Sequence, residues 1–130
     1  MTTCVLDTDV VIGALDRRDP HHPRARALIL RLLGDGASLH LSVVNYAEAL
    51  VKPAEDRVTL ELATEAIATL GIHVHSPDAS IGRDAARLRG MNISLADGFA
   101  LATARQLDAD IASFDNRVRA AAKELALPIA

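Results

Sequence analysis

Short apolar runs alternate with longer amphipathic stretches along most of the chain. The short runs predict β-strands, whereas apolar residues that recur every three or four positions predict helices. We predict strands at Thr3–Leu6, Ser38–Leu41, Ile72–His75 and Asp110–Ser113, with a short fifth strand at Leu127–Ile129. The helices predicted between them are Asp9–Leu15, Pro20–Leu33, Ser42–Lys52, Arg57–Leu70, Pro77–Arg89, Ser94–Leu107 and Asn116–Leu125.

This alternation of strands and helices indicates an α/β fold. Right-handed strand–helix–strand connections give a parallel sheet that is covered by helices on both faces. We therefore expect a short parallel central sheet flanked by helices, a three-layer α/β/α fold, with residues 1–130 as a single domain. Sheets of this kind bind ligands at the carboxyl ends of their strands.

Acidic residues follow two of the predicted strands. Asp7 comes directly after the first strand, and Asp115 comes just after the fourth. Because the carboxyl ends of parallel strands meet at one edge, both side chains should lie at the same rim. Asp115 has a second interpretation as a helix cap, since Asp before a helix accepts its first amide protons. The sequence alone leaves both roles open.

Two further carboxylates lie on helices that begin at this rim. Asp97 is one of only two charged residues in the apolar helix Ser94–Leu107, so its burial would demand a partner. A capping box with Ser94 is the alternative role. Glu48 falls on the edge of its helix, where it faces either a cleft or solvent. The apolar face of that helix is predicted to consist of Val43, Val44, Ala47, Leu50 and Val51.

The charge balance and the aromatic content indicate how these carboxylates could take part in function. The chain has 14 Lys and Arg against 17 Asp and Glu, and only 2% of its residues are aromatic. These numbers argue against nucleic-acid binding through a basic surface or a base-stacking platform alone. Carboxylates at one rim repel each other unless a cation lies between them. Mg²⁺ or Mn²⁺ is their natural ligand, and such ions promote hydrolysis of phosphodiesters.

The cysteine content and the hydropathy suggest where the protein acts. The single cysteine, Cys4, has no intramolecular partner for a disulfide, and its apolar surroundings suggest a small buried hydrophobe. We therefore expect a reducing, cytoplasmic environment. No apolar run approaches the roughly 18 to 20 residues of a membrane-spanning helix, so no membrane association is expected.

Four segments carry the carboxylates, and together they resemble the four acidic motifs of PIN domains. In one-letter code the segments are VLDT (5–8), SVVNYAE (42–48), SLADGFALA (94–102) and ASFD (112–115). The order and spacing match over nearly the whole chain. The compact length and the helix at 96–107 more narrowly resemble the VapC toxin ribonucleases of type II toxin–antitoxin modules.

The resemblance implies a PIN-like domain with a metal-dependent endoribonuclease activity that arrests translation and growth. It implies a cognate VapB-type antitoxin as partner, RNA as substrate, and Mg²⁺ or Mn²⁺ as cofactor. We also expect a homodimer, because the apolar helices at 25–33 and 57–70 offer surfaces for a second copy or an antitoxin. The implied catalytic and metal-binding quartet is Asp7, Glu48, Asp97 and Asp115.

Three neighbouring residues have implied supporting roles. Thr8 and Ser113 match positions where the family often has a small hydroxyl residue near the metal. Asp9 departs from the Ser or Asn that is common at its position. It would either add a fifth carboxylate to the metal shell or cap the first helix.

Other classes of protein share parts of the pattern. The segment VLDTDVV (5–11) resembles the nucleophile motif of haloacid-dehalogenase phosphatases, but that fold leaves Glu48 and Asp97 without a role. A receiver domain would need an Asp after the third strand, where Ser76 stands. A PIN nuclease of RNA processing that is not a toxin, and a binding module without catalysis, are further alternatives.

Histidines and arginines lie outside the acidic motifs. His73 and His75 share one strand face, and His21 and His22 stand in a loop, without the ligand spacing of a zinc site. We interpret them as structural or solvated. The densest basic patch is either a solvated helix entry or an RNA-backbone contact, and consists of Arg17, Arg18, Arg24 and Arg26.

Overall fold

Four short parallel strands form the centre of the structure, a computed structural model that describes residues 2–130. The strands are β1 (Thr3–Leu6), β2 (Ser38–Ser42), β3 (His73–His75) and β4 (Asp110–Ala112). The helices are α1 (Thr8–Leu15), α2 (His22–Gly34), α3 (Val43–Leu50), α4 (Arg57–Thr69), α5 (Ala79–Leu88), α6 (Leu95–Leu107) and α7 (Asn116–Glu124). Short 3₁₀ turns follow α3 and α5, at Pro53–Glu55 and Arg89–Met91.

The strand order is β3-β2-β1-β4, so β1 lies inside the sheet between β2 and β4. Successive residues of β1 point to opposite faces, as the period of a strand requires. Cys4 and Leu6 pack into a core with side chains of α1 to α4, and Val5 packs into a second core with side chains of α5 to α7. The expected parallel sheet between two helical layers is therefore confirmed.

The end of the chain differs from the prediction. The fifth strand expected at Leu127–Ile129 is wrong, because the described residues there form only a single parallel bridge between Ile111 and Ile129. Ala126 adopts a left-handed conformation with φ 57°, which turns the chain just before the bridge. Pro128 has no amide proton, so the ladder cannot continue through it.

Helix boundaries shift by two residues at three places. The fifth helix begins at Ala79 rather than Pro77, because the Asp78 side chain caps it. The second helix begins at His22 rather than Pro20, because a turn held by the Asp19 side chain precedes it. The third ends at Leu50 rather than Lys52, and Pro53 then starts a 3₁₀ turn. No helix in the described residues is both long and apolar enough to cross a bilayer.

Helices α5 and α6 pack unusually closely at one glycine. A Cβ added to Gly98 would lie 2.7 Å from the carbonyl oxygen of Ala85, a distance that real Cβ atoms do not show. Only glycine therefore allows this approach. The contact fixes the start of α6, where Asp97 immediately precedes Gly98.

Cys4 is buried, as its surroundings in the sequence indicated. Its side chain has no exposed surface. Burial, and secondarily the charge of Asp110, raises the pKa of the Cys4 thiol to about 12. The thiol is therefore protonated at neutral pH and packs as a small apolar group.

Candidate active site

Asp7 is the most deeply buried carboxylate of the candidate quartet. It follows β1, and its backbone amide donates to the carbonyl of Ala112 at 2.9 Å, which places it beside the end of β4. Its side chain is 2% exposed. Oδ1 accepts from the amide of Thr8 at 2.9 Å, and Oδ2 accepts from the hydroxyl of Ser113 at 2.7 Å. The fold therefore holds this carboxylate in one orientation.

The electrostatics of Asp7 reflect its burial and its neighbours. Burial raises the pKa of Asp7 to about 7, and the charges of Asp9 and Asp97 act in the same direction. These repulsions show that the structure brings three carboxylates within electrostatic reach of one another. A cation among them would favour the charged forms.

Asp9 does not cap the first helix, since Asp7 is the N-cap of α1. Asp9 Oδ2 instead accepts a hydrogen bond from the amide of Phe114 at 3.0 Å, which ties α1 to the segment after β4. Its Oδ1 is buried and has no hydrogen-bond partner in the described residues. Burial raises the pKa of Asp9, although the Phe114 amide and the charge of His21 oppose this.

Asp115 lies at the same edge and is linked to Asp7 through Ser113. The amide of Asp115 donates to the Ser113 hydroxyl at 3.1 Å, and that hydroxyl donates to Asp7. Asp115 is also the N-cap of α7, where Oδ1 accepts from the amide of Arg117 at 2.8 Å. The helix-capping role is therefore present at the position that strand topology indicated for a site residue.

Asp97 takes part in the capping box that was its alternative role. The Ser94 hydroxyl accepts from the Asp97 amide at 3.1 Å, and Asp97 Oδ2 accepts from the Ser94 amide at 3.2 Å. Capping does not remove Asp97 from the acidic group, because its charge still raises the pKa of Asp7. The cap instead fixes where the carboxylate stands.

Asn45 connects three elements of the site, although hydrophobic periodicity gives no indication of this role. Its side chain is fully buried, and Nδ2 donates to the Thr8 hydroxyl at 3.0 Å and to the carbonyl of Ala96 at 3.1 Å. These bonds join α3 to the first turns of α1 and α6. Its Oδ1 is buried without a partner in the described residues.

The predicted apolar face of α3 is largely wrong, because the helix buries the polar side chain of Asn45. Leu50 is buried as expected, but Val43, Ala47 and Val51 are exposed. The buried side of α3 contains Asn45 and Ala49 instead. The polar contacts of Asn45 orient the helix, and they cannot be recognised from hydrophobic periodicity.

Glu48 is not joined to the other candidates by side-chain contacts. It stands one turn beyond Asn45 on the same side of α3, since residues three apart are neighbours on a helix. Its side chain is exposed, and it takes part in no hydrogen bond or ion pair among residues 2–130. The structure thus groups Asp7, Asp9, Asp97 and Asp115, and no contact joins Glu48 to them in the described residues.

The donor atoms suit a hard divalent cation. The site offers only oxygen ligands, which Mg²⁺ and Mn²⁺ prefer over the nitrogen and sulfur ligands of zinc. Two buried oxygens, on Asp9 and Asn45, lack the partners that buried polar atoms normally have. However, no three His, Cys, Asp or Glu side chains in the described part of the chain are close enough to hold a metal as they stand.

Aromatic and basic side chains lie against one edge of this acidic group. The Arg24 guanidinium carbon is 4.5 Å from the centre of the Phe114 ring, and the His21 ring is 4.9 Å from it on centres. Because the Phe114 amide binds Asp9, Arg24 and His21 flank the site. The loop position of His21 predicts a structural or solvated residue, whereas the fold brings its charge close to Asp9.

Three histidines form a separate cluster on β2 and β3. His40 pairs with His73 across the two strands, and its Nδ1 lies 2.6 Å from Nε2 of His75. The Ser38 hydroxyl lies 2.6 Å from Nε2 of His40. Burial, followed by the charges of His75 and His73, lowers the pKa of His40. The sequence identified His73 and His75 as sharing a face but gave no indication of His40.

The chain is an α/β domain with a group of carboxylates at one edge of its parallel sheet. These carboxylates lie after β1, after β4 and at the start of α6. A family model described as the PIN domain matches residues 4–124. The chain therefore belongs to the PIN domain family, which confirms the resemblance of its motifs. No curated protein sequence matches the chain.

Several solved structures of bacterial proteins share this fold. FitAcB from Neisseria gonorrhoeae is 22% identical with a TM-score of 0.70, covering 97% of this chain and 95% of that one. VapBC2 from Rickettsia felis, bound to a promoter DNA fragment, is 12% identical with a TM-score of 0.73 and coverages of 99% and 98%. VapC20 of Mycobacterium tuberculosis, a toxin that cleaves the sarcin–ricin loop, is 16% identical with a TM-score of 0.73 and coverages of 91% and 94%.

Proposed function

We propose that this PIN domain is a divalent-metal-dependent endoribonuclease and the toxin of a VapBC-type toxin–antitoxin module. The observation that carries the proposal is the group of Asp7, Asp9, Asp97 and Asp115 at the carboxyl edge of the sheet. Asp7 is buried within this group, and burial raises its pKa to about 7. Such an arrangement is unfavourable without a cation, and it suits a nuclease of phosphodiesters.

Mg²⁺ or Mn²⁺ would be held by Asp7, Glu48, Asp97 and Asp115. The ion would lower the pKa of an attacking water and stabilise the charge that develops on the phosphate. Within the protein, the Ser113 hydroxyl orients the Asp7 carboxylate, and Asn45 holds Thr8 and the start of α6 in place. Glu48 would have to turn toward them, and its exposed side chain makes no contact that must first be broken.

The structural neighbours support the choice of substrate and partner. One of them is a toxin that cleaves the sarcin–ricin loop, and another is a toxin–antitoxin complex. By likeness of fold, we assign RNA as substrate and a VapB-type antitoxin as partner to this chain.

Exposed apolar side chains support a homodimer and antitoxin binding. Val58 and Leu62 on α4 are 62% and 61% exposed, and Leu30 on α2 is 54% exposed. Such side chains are costly to leave in water when they are contiguous, and protein partners commonly cover them. Both helices were expected to carry these surfaces. Light scattering at micromolar concentration should give the mass of a dimer, and a monomer would contradict this assignment.

The activity is tested with purified protein and a mixed RNA pool, in Mg²⁺ or Mn²⁺ and with EDTA. We expect cleavage only with the metal, and products with 5′-phosphate and 3′-hydroxyl ends. Cleavage that survives EDTA, or ends that carry a 2′,3′-cyclic phosphate, would contradict the proposal and point instead to a side-chain base such as His21. Asp7→Asn provides the inactive control.

A haloacid-dehalogenase-like phosphatase is not favoured, because the chain belongs to the PIN family. Hydrolysis of a small phosphomonoester through an aspartyl phosphate would be required to reopen that alternative. A PIN nuclease of RNA processing shares the chemistry proposed here, and it differs only in lacking a toxin's antitoxin.

A further inference from the structure

A cleft of about 530 Å³ lies directly beside Asp97. Two arginines, Arg89 and Arg117, line it together with Asp97 and the turn at residues 90–94. Its volume is within the range of roughly 300 to 1,000 Å³ that is typical of ligand pockets. The cleft therefore opens next to one of the grouped carboxylates and brings cationic side chains to an otherwise acidic edge.

The turn between α5 and α6 shapes one wall of the cleft. Arg89 begins the 3₁₀ turn after α5, and Asn92 adopts a left-handed conformation with φ 63°. This conformation reverses the chain so that Ile93 is buried in the core and Ser94 can cap α6. Arg89 is exposed and has no carboxylate within ion-pair distance in the described part of the chain. Its guanidinium is therefore free to bind an anion.

Arg117 forms the other side of the cleft and connects it with Asp115. Its Nε lies 3.9 Å from Asp115 Oδ1, and its side chain is 67% exposed. A long, exposed ion pair of this kind contributes little to stability. The Arg117 guanidinium can therefore turn most of its donors toward a ligand while it remains close to Asp115.

A second cleft with arginines serves as a comparison. It has a volume of about 600 Å³ and lies along α2, where Arg17, Arg26 and Leu30 line it. None of the candidate carboxylates borders it. A phosphate bound there would border none of the grouped carboxylates, whereas the cleft with Arg89 shares Asp97 with that group.

The chemistry of the first cleft favours phosphate over base recognition. Guanidinium groups bind phosphate oxygens through paired, charge-assisted hydrogen bonds. The lining contains no aromatic ring on which a base could stack. Contacts to phosphate position a strand without reading its sequence.

We propose that this cleft binds the RNA strand next to the scissile bond, and that Arg89 and Arg117 hold a phosphodiester there. The inference rests on the proposed ribonuclease function, because it names how the substrate of that activity is held. The two cations offset the repulsion that the grouped carboxylates and the net charge of −3 exert on RNA. They are positioning residues, and they take no part in the chemical step.

The test measures binding of a mixed-sequence single-stranded RNA by fluorescence anisotropy in EDTA, as a function of salt. Arg89→Gln and Arg117→Gln should each weaken binding about fivefold to tenfold and should each lower the salt slope by about 0.7, the value of one phosphate contact on a single strand. Arg57→Gln is the matched control, since it removes an exposed arginine from α4 on the opposite face of the sheet. It should bind RNA like the wild type.

Kinetics with the divalent ion separate positioning from chemistry. Arg89→Gln should raise KM more than it lowers kcat, and Arg89→Lys should recover part of the affinity. Because Arg117 contacts Asp115, the variant at Arg89 is the more decisive one. Thermal unfolding verifies that each variant is folded.

The outcomes distinguish this inference from the proposed function. If the arginine variants bind RNA with wild-type affinity and salt slope, the proposed RNA binding in the cleft is overturned, even if the protein cleaves RNA. RNA binding that loses its slope as predicted, in a protein that cleaves no RNA with Mg²⁺ or Mn²⁺, would support the cleft and contradict the nuclease. If the wild-type protein binds no RNA, the proposed RNA binding in the cleft is overturned as well.

Discussion

Asp7 and Glu48 stand at opposite extremes of the same candidate site. Asp7 is 2% exposed, and both of its carboxylate oxygens accept hydrogen bonds, from Thr8 and Ser113. Glu48 is exposed, and its side chain has no partner among residues 2–130. A buried carboxylate with two donors has its position set by folding, whereas an exposed glutamate keeps its rotamer freedom until a ligand fixes it.

We call Asp7 and Asp9 the inner half of the site, and Glu48 and Asp97 the outer half. The charged carboxylates of the inner half lower the stability of the folded protein, since burial raises the pKa of both groups. For Asp7 the folded protein holds a proton more tightly than the unfolded chain. Its contribution to stability is therefore lost as pH rises from its usual value of 3.8 to about 7. A bound cation would remove this cost.

The largest expected effect comes from removing the charge of the inner half. Asp7→Asn should lower cleavage by at least about a hundredfold, since loss of even a supporting group can cost that much at a metal site. Its melting temperature without metal should be equal to or above that of the wild type, because like-charge repulsion is relieved. Cleavage and thermal unfolding measure the two effects. Glu61→Gln on α4 is the control, and an active or strongly destabilised Asp7→Asn variant would contradict the account.

The hydrogen bonds of Asn45 connect the inner half of the site with the outer half, and a substitution of Asn45 tests their importance. Asn45→Ala removes both hydrogen bonds that join α3 to Thr8 and Ala96, and it should lower the free energy of unfolding by about 1 to 3 kcal/mol. Cleavage should fall as well, because Glu48 and Asp97 lose their common support. Denaturant unfolding measures the first effect, with exposed Asn116→Ala as control. Wild-type stability of Asn45→Ala would show that this link is unimportant.

The position of Asp97 in the outer half is tested by a substitution that removes no carboxylate. Gly98→Ala forces a Cβ to within 2.7 Å of the Ala85 carbonyl oxygen, so α6 must shift and Asp97 with it. We expect a loss of stability of about 1 to 3 kcal/mol and reduced cleavage. Gly82→Ala on α5 meets nothing within 4 Å and should stabilise by roughly 0.5 to 1 kcal/mol. Equal melting temperatures for the two variants would contradict the close packing.

The smallest effect concerns a region outside the site. The pKa of His40 is lowered from 6.5, so the unfolded chain binds protons first as pH falls. The His40 contribution to stability is therefore complete above about pH 6.5 and declines below it. Replacing His40 by Gln should flatten the acid side of the stability curve. Because Asp7 has the opposite slope, the test is the difference between variant and wild-type melting temperatures from pH 8 to 5, and a constant difference would contradict it.

Much of this architecture could be predicted from local patterns in the sequence. The carboxyl ends of β1 and β4 indicated Asp7 and Asp115, because strand topology alone places them at one edge. Asn45 and His21 could not be found in this way, since their contacts join segments far apart in the chain. The face of α3 was predicted incorrectly because a polar anchor, rather than apolar periodicity, orients that helix. Glu48 is indicated by the motif resemblance alone, since its exposed side chain makes no contact in the structure that fixes its position.

We propose that Asp7, Glu48, Asp97 and Asp115 bind one cation together, and titration with Mn²⁺ measures this shared binding. Isothermal titration of the wild type, Asp7→Asn, Glu48→Gln and the control Glu61→Gln would compare their affinities. We predict that Asp7→Asn and Glu48→Gln each weaken Mn²⁺ binding by at least about tenfold while Glu61→Gln binds like the wild type. If Glu48→Gln titrates like the wild type, Glu48 does not belong to the site and the account is contradicted.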